Sequence, residues 1–166
     1  MNHAKNMYKY HVWANKVLLE RIKELPSNVL YEEVSSSYPT IALTFSHMYV
    51  VDVMWLEVLK GMDMQEALAT SMALQEKSNL YSADEFVKSY EELASQYEDW
   101  INNQNDLEQK VHLNNPWTGA RDTAYSEILF HVANHGTYHR GNITTMLRQQ
   151  GHASTMNDFA LYWYQC

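Results

Sequence analysis

Cysteine is almost absent from this chain: Cys166, at the extreme C-terminus, is the sole thiol. No internal disulfide can form, which fits a reducing cytoplasm, and a terminal thiol reads as a frayed, exposed group rather than a nucleophile. Proline and glycine are scarce, 3 and 5 in 166 residues, against 46% hydrophobic residues. That balance argues for a compact, helix-rich globule of single-domain length, residues 1–166. Positive charge is also in short supply, with 12 Lys and Arg against 20 Asp and Glu, a net charge of −8. Phosphate backbones attract basic surfaces, so the balance argues against nucleic acid as a partner, and no basic run interleaved with aromatics offers a groove for it. Long hydrophobic runs are missing as well. No apolar stretch approaches the roughly 20 residues that span a bilayer. The start, Met1-Asn2-His3-Ala4-Lys5, leads into an amphipathic pattern and not into a signal-peptide core. A soluble cytoplasmic protein without a membrane partner is expected.

What the chain does have is aromatic bulk and helical periodicity. Its 12 Tyr and 5 Trp supply large rings to wall any cavity. Four long helical patterns follow one another without repeats. The first runs from His3 to Leu25, with Tyr10, Trp13, Val17, Leu18 and Ile22 at helical spacing, and Pro26-Ser27-Asn28 ends it. The second begins near Pro39 and ends at Gly61, with Leu43, His47, Val50, Val51, Met54 and Val58 as its stripe. The third starts at the capping box Ser82-Ala-Asp-Glu85 and carries Phe86, Tyr90, Leu93, Tyr97, Trp100 and Ile101. The fourth starts near Asp122 or Thr123, after the turn-rich Asn114-Asn115-Pro116-Trp117-Thr118-Gly119, and ends before Gly151. The spacing predicts an all-α fold, a four-helix bundle. The connection from Gly61 to Tyr81 is too long for a tight turn, so the second and third helices are expected to run parallel, an up-down-down-up topology. The tail, with Phe159, Leu161, Tyr162, Trp163 and Tyr164, is expected to pack back onto the bundle.

The chemistry concentrates in the fourth pattern. His131-Val-Ala-Asn-His135-Gly-Thr-Tyr-His139 repeats histidine every four residues, which stacks the imidazoles on one helix face. Counting roughly 100° per residue from the mean direction of Ile128, Leu129, Val132, Ile143, Met146 and Leu147, His139 lies about 30° off the core direction, His135 about 70° and His131 about 110°. Buried imidazoles without partners cost free energy, and a shared ion satisfies several at once. His47, inside another apolar stripe, supplies a third ligand. His47, His135 and His139 are the preferred metal set, with His131 as substitute or neighbour. Three protein ligands leave a position open for water or substrate, as catalytic sites do, and the ion is expected to be zinc, nickel or another divalent metal. Such a site can ionise a bound water or thiol at neutral pH.

Other polar residues read more plainly. Tyr138 and Arg140 leave on other faces as structural or rim residues. Asp52 and Glu57 read as solvated helix positions, and His3, His11, His112 and His152 as surface histidines. Gly136 and Gly141, each costing roughly 1 kcal/mol inside a helix, allow close helix approach or ligand room, or are tolerated defects.

At these residues the chain resembles the DinB-like family of metalloenzymes. Tyr10-His-Val-Trp13-Ala14-Asn15, Phe45-Ser-His47, the histidine segment through Arg140-Gly141, and Gly151-His152 with Asp158 match in order. The resemblance spans nearly the whole chain and implies an up-down-down-up four-helix bundle, often a homodimer, with a divalent metal on His47, His135 and His139. It implies chemistry on low-molecular-weight thiols, such as bacillithiol or mycothiol, with the metal activating the thiol, or else a DNA-damage-inducible protein of unassigned chemistry. One departure is Asn142, where the family commonly has glutamine; a supporting hydrogen bond is expected to be lost or rerouted. Two functions compete. One is a metal-dependent thiol S-transferase, or hydrolase-like enzyme, acting on small electrophiles, in which the sequence names no general base. The other is a non-catalytic stress-response protein whose metal stabilises the bundle or whose surface binds a partner.

Overall fold

The computed structural model describes residues 2–165, so the expected exposed thiol of Cys166 lies outside the described residues. Helix α1 spans His3–Lys23, α2 Ile41–Leu59, α3 Met64–Ser78, α4 Ala83–Asn102, α5 Tyr125–Gln149 and α6 Phe159–Tyr162, with a 3₁₀ turn at Ser27–Leu30. Strands β1, Lys110–Asn115, and β2, Gly119–Ala124, form a hairpin. The protein is mostly helical, as expected.

Local chemistry sets the ends. The Asn2 side chain accepts from Lys5 N at the start of α1, and Thr40 Oγ1 from Leu43 N at α2, each at 3.1 Å. The expected capping box opens α4: Ser82 Oγ accepts from Glu85 N, and Glu85 Oε2 accepts from Ser82 N. Beyond α2, Gly61 takes φ +101°, a conformation that side chains rarely adopt.

Two elements depart from the expectation. The long connection after Gly61 holds α3, which packs on α2 through small buried residues, Ala67, Ser71 and Ser78; the Ser78 and Ser46 hydroxyls lie 2.6 Å apart. Its apolar residues are divided between faces, leaving Met72 49% exposed, so no clean stripe marks it. The expected all-α class is corrected by the hairpin, paired from Asn115↔Gly119 to Lys110↔Ala124. Asn115 Oδ1 accepts from the backbone of Trp117 and Thr118, and Gly119 closes the turn at φ +90°. Strand β2 reads Gly-Ala-Arg-Asp-Thr-Ala, mostly exposed, without the alternation that reveals a strand.

Helix α1 packs on α5 and α4, and α2 on α3, α5 and α4. One core cluster gathers Tyr8, Trp55, Tyr97, Leu129 and Val132; a second, nearer the other end of α1, gathers Leu18, Phe45, Phe86, Ile143 and Met146. The tail returns as expected: Phe159 and Tyr162 pack against Tyr10, with Tyr162 also against Trp13. Helix α2 corrects one reading. By length and composition it is apolar enough to cross a bilayer, but 67% of that stretch is buried inside the fold. It packs against α3, α4 and α5, and it brings His47 and Asp52 toward the core.

Candidate metal centre

His135 and His139 stand one turn apart on α5, and His47 faces them from α2. Their candidate ligand atoms all lie within 4.8 Å of one another. His135 Nε2 is 3.1 Å from His47 Nε2 and also 3.1 Å from His139 Nε2. An imidazole nitrogen carries either one proton or one lone pair, so it can make one good hydrogen bond. Two partners at that distance from one nitrogen exceed this capacity. Nitrogens bound tetrahedrally at about 2.0–2.1 Å from an ion would sit about 3.3 Å apart, close to the observed spacing. The donor set therefore fits a divalent ion better than it fits a hydrogen-bonded cluster.

Electrostatics agree. His135 is pushed down to about 3 by burial and then by the other histidines, His139 and His47 foremost. His139 is lowered to about 4 by burial and by His47. Burial lowers His47 too, against the opposing pull of Asp52. All three are neutral at pH 7, the protonation state a ligand needs. The Nδ1 atoms of His135 and His139 are buried without a protein partner, whereas metal-bound histidines almost always donate that proton to an acceptor. Asn142 Nδ2 is buried and unpaired as well.

Aromatic rings surround the site. Tyr38 stacks on His47, centroids 4.9 Å apart, and tilts toward His139 at 5.8 Å. Tyr138 meets His139 edge-on at 4.9 Å. His131, the substitute ligand, is not brought into the group. It stacks on His135 at 5.9 Å and packs its ring against Trp55 at 5.1 Å.

The neighbouring face of α5, turned toward α1, holds a polar cluster that sequence reasoning misread. His11 and Asp52, expected at the surface, are each 2% exposed, and Arg140 is 1% exposed. His11 Nε2 lies 2.8 Å from Asp52 Oδ2, and Arg140 Nη1 lies 3.2 Å from His11 Nδ1. Arginine only donates and the carboxylate only accepts, so Nε2–H donates to Asp52 and Nδ1 accepts from Arg140. Arg140 also donates to Asn15 Oδ1 and Thr137 Oγ1, both at 2.8 Å, and its guanidinium lies over the Tyr10 ring. Gly136 is required here: an added Cβ would fall 2.3 Å from His11 Nδ1. Gly141 meets nothing within 4 Å, so nothing in the structure explains it. A signal for His11 and Asn15 was present, because Ala4, Tyr8, His11, Asn15, Leu18 and Ile22 form one buried stripe. The remaining readings stand apart from both clusters. Glu57 is half-buried and pairs with Lys60; His112 is exposed beside Asp122; His3 is exposed and His152 half-buried.

Protein DinB of Bacillus subtilis (strain 168) is 39% identical over 161 residues, covering 97% of this chain and 94% of that protein. The crystal structure of a DinB-like protein from Bacillus cereus superposes with a TM-score of 0.62 at 20% identity, over 89% of each chain, and so shares the fold. A family model described as the DinB family matches residues 1–165. From its N-terminal helix to its C-terminal tail, the chain belongs to the DinB family.

Proposed function

We propose that this protein is a metal-dependent enzyme, a transferase that couples a low-molecular-weight thiol to small electrophiles, with His47, His135 and His139 holding zinc or nickel. The observation that carries the reading is the convergence of three neutral imidazoles in which His135 Nε2 faces two nitrogens at 3.1 Å. A divalent ion there would supply Lewis acidity, lowering the pKa of a bound thiol or water toward neutrality. The chain's own residues do the rest. Burial keeps the three rings unprotonated at pH 7. Tyr38 fixes the plane of His47 by stacking, and Tyr38 and Tyr138 offer aromatic surface to an apolar substrate.

The deciding experiment is elemental mass spectrometry on tag-free protein with the His47→Ala and His139→Ala variants. About one equivalent of metal, lost in both variants, is expected, followed by turnover with a thiol and an electrophile that the same variants abolish. Absence of metal after addition of Zn²⁺, Ni²⁺ or Mn²⁺ would overturn the reading.

A second reading, a non-catalytic stress-response protein, draws on the placement of the ligands. They join α2 to α5 across the core, so an ion would stabilise the fold. Metal-dependent melting with no binding of thiols or electrophiles would select it. Further proposals accompany the first. The chain is one domain in which α1, α2, α4 and α5 form an up-down-down-up bundle, with α3 in the long connection; an experimental structure with α2 and α4 antiparallel would contradict this. It is a cytoplasmic homodimer without nucleic acid partners, checked by cell fractionation, light scattering and salt-dependent DNA binding.

A further inference from the structure

A cavity of about 580 Å³ opens between α1 and α4, within the size range of small-molecule sites. Tyr8, Val12, Tyr90 and Leu93 form its walls, with Tyr162 of the returning tail beside them. None of the three converging histidines lines it. Three buried polar residues do: His11, Asn15 and Asp52.

Asp52 is the informative one. Its Oδ2 accepts from His11, while Oδ1 is buried with no hydrogen-bond partner. A buried acceptor left unpaired costs free energy, and a donor reaching it recovers that cost. The charge of the carboxylate is already answered by Arg140, which contacts the far nitrogen of the same imidazole. A ligand cation is therefore not called for. Charge around the rim is of both signs: Lys16 and Glu91 pair at 2.9 Å, and Lys5, Lys9 and Glu98 also line the cavity.

We propose that this cavity is a second ligand site, which takes a neutral, largely apolar molecule whose single hydroxyl or N–H group donates to Asp52 Oδ1. The walls supply apolar and aromatic contact, and the acceptor at the floor supplies orientation. The proposal is independent of any metal at the histidines.

The test titrates the full-length protein with 2-naphthol and with naphthalene, followed by amide NMR shifts. Saturable 2-naphthol binding is expected, with shifts centred on Tyr8, Val12 and Leu93, at least about tenfold tighter than naphthalene for one hydrogen bond to a carboxylate. Ala94→Trp, which fills the cavity from α4, is expected to weaken binding by at least about tenfold. If that variant fails to fold, the wild-type shift map and the ratio of the two ligands decide. Equal affinities, shifts centred on His47 and His139, or undiminished binding in folded Ala94→Trp would overturn the proposal. So would no binding of 2-naphthol at about 1 mM, including the case in which a second copy of the chain covers this face.

Discussion

A lone histidine in a polar cluster and a group of three histidines flank the same stretch of α5, and they solve the problem of a buried imidazole in opposite ways. His11 has an acceptor at one nitrogen and a donor at the other, with Asp52 and Arg140 cancelling each other's charge across the ring. His47, His135 and His139 meet nitrogen to nitrogen, with no carboxylate among them, and two of their outer nitrogens lack partners. The first group balances its charge within the chain, although Asp52 Oδ1 and Arg140 Nε stay unpaired. The second brings three nitrogens together with no charge at their centre, an arrangement that could hold a divalent ion.

Breaking the charge-balanced group should cost most. Asp52→Ala leaves the Arg140 guanidinium buried without its counter-charge, and a loss of about 3–5 kcal/mol is expected in urea unfolding. A loss under about 1 kcal/mol would show that the pair is solvated in solution. Filling the incomplete group comes next. An ion at about a hundred times its dissociation constant should add about 2.7 kcal/mol, read as a rise in Tm that His135→Ala eliminates. Gly136→Ala drives a methyl group into His11 and is expected to cost about 1–3 kcal/mol, while Gly141→Ala costs nothing or stabilises.

Acid should distinguish the groups further. The folded values of His135 and His139, about 3 and about 4, lie below the ordinary 6.5. Between those limits the unfolded chain binds protons that the native chain refuses, so stability falls as pH drops from about 6.5 toward 4. Metal-free protein followed by urea unfolding at pH 7, 6 and 5 should decline steadily, and Zn²⁺ should delay the decline; a flat profile would contradict the depressed values. The smallest effect is expected from His131→Ala, which should leave metal content unchanged because that ring packs on Trp55 outside the convergent set.

The same contrast explains what the sequence could and could not disclose. The triad was legible because two members are one turn apart on one helix, and the third sits inside a continuous apolar stripe. The long helices were legible for a related reason, with periodicity and caps such as Ser82 to Glu85 written locally. His11, Asp52 and Arg140 come one from each of three helices, and a helical pattern gives the face of a residue without naming what it faces. Asp52 misled because most of α2 is buried and position 52 faces His11 of α1, whereas Glu57 on the same helix reaches Lys60 at the surface. The hairpin was hidden by the polar β2, and α3 by apolar residues spread around its circumference.

The partnership of α1 with α5 has a consequence for biosynthesis. His11 meets Arg140 across 129 positions of sequence, and His47 meets His135 across 88. As the chain leaves the ribosome, α1 and α2 emerge with their apolar faces uncovered and wait for a helix made much later. Neither histidine group exists in a nascent chain that stops short of α5. A truncated product can therefore neither load metal nor hide its core, which makes it a natural substrate for chaperones and proteases.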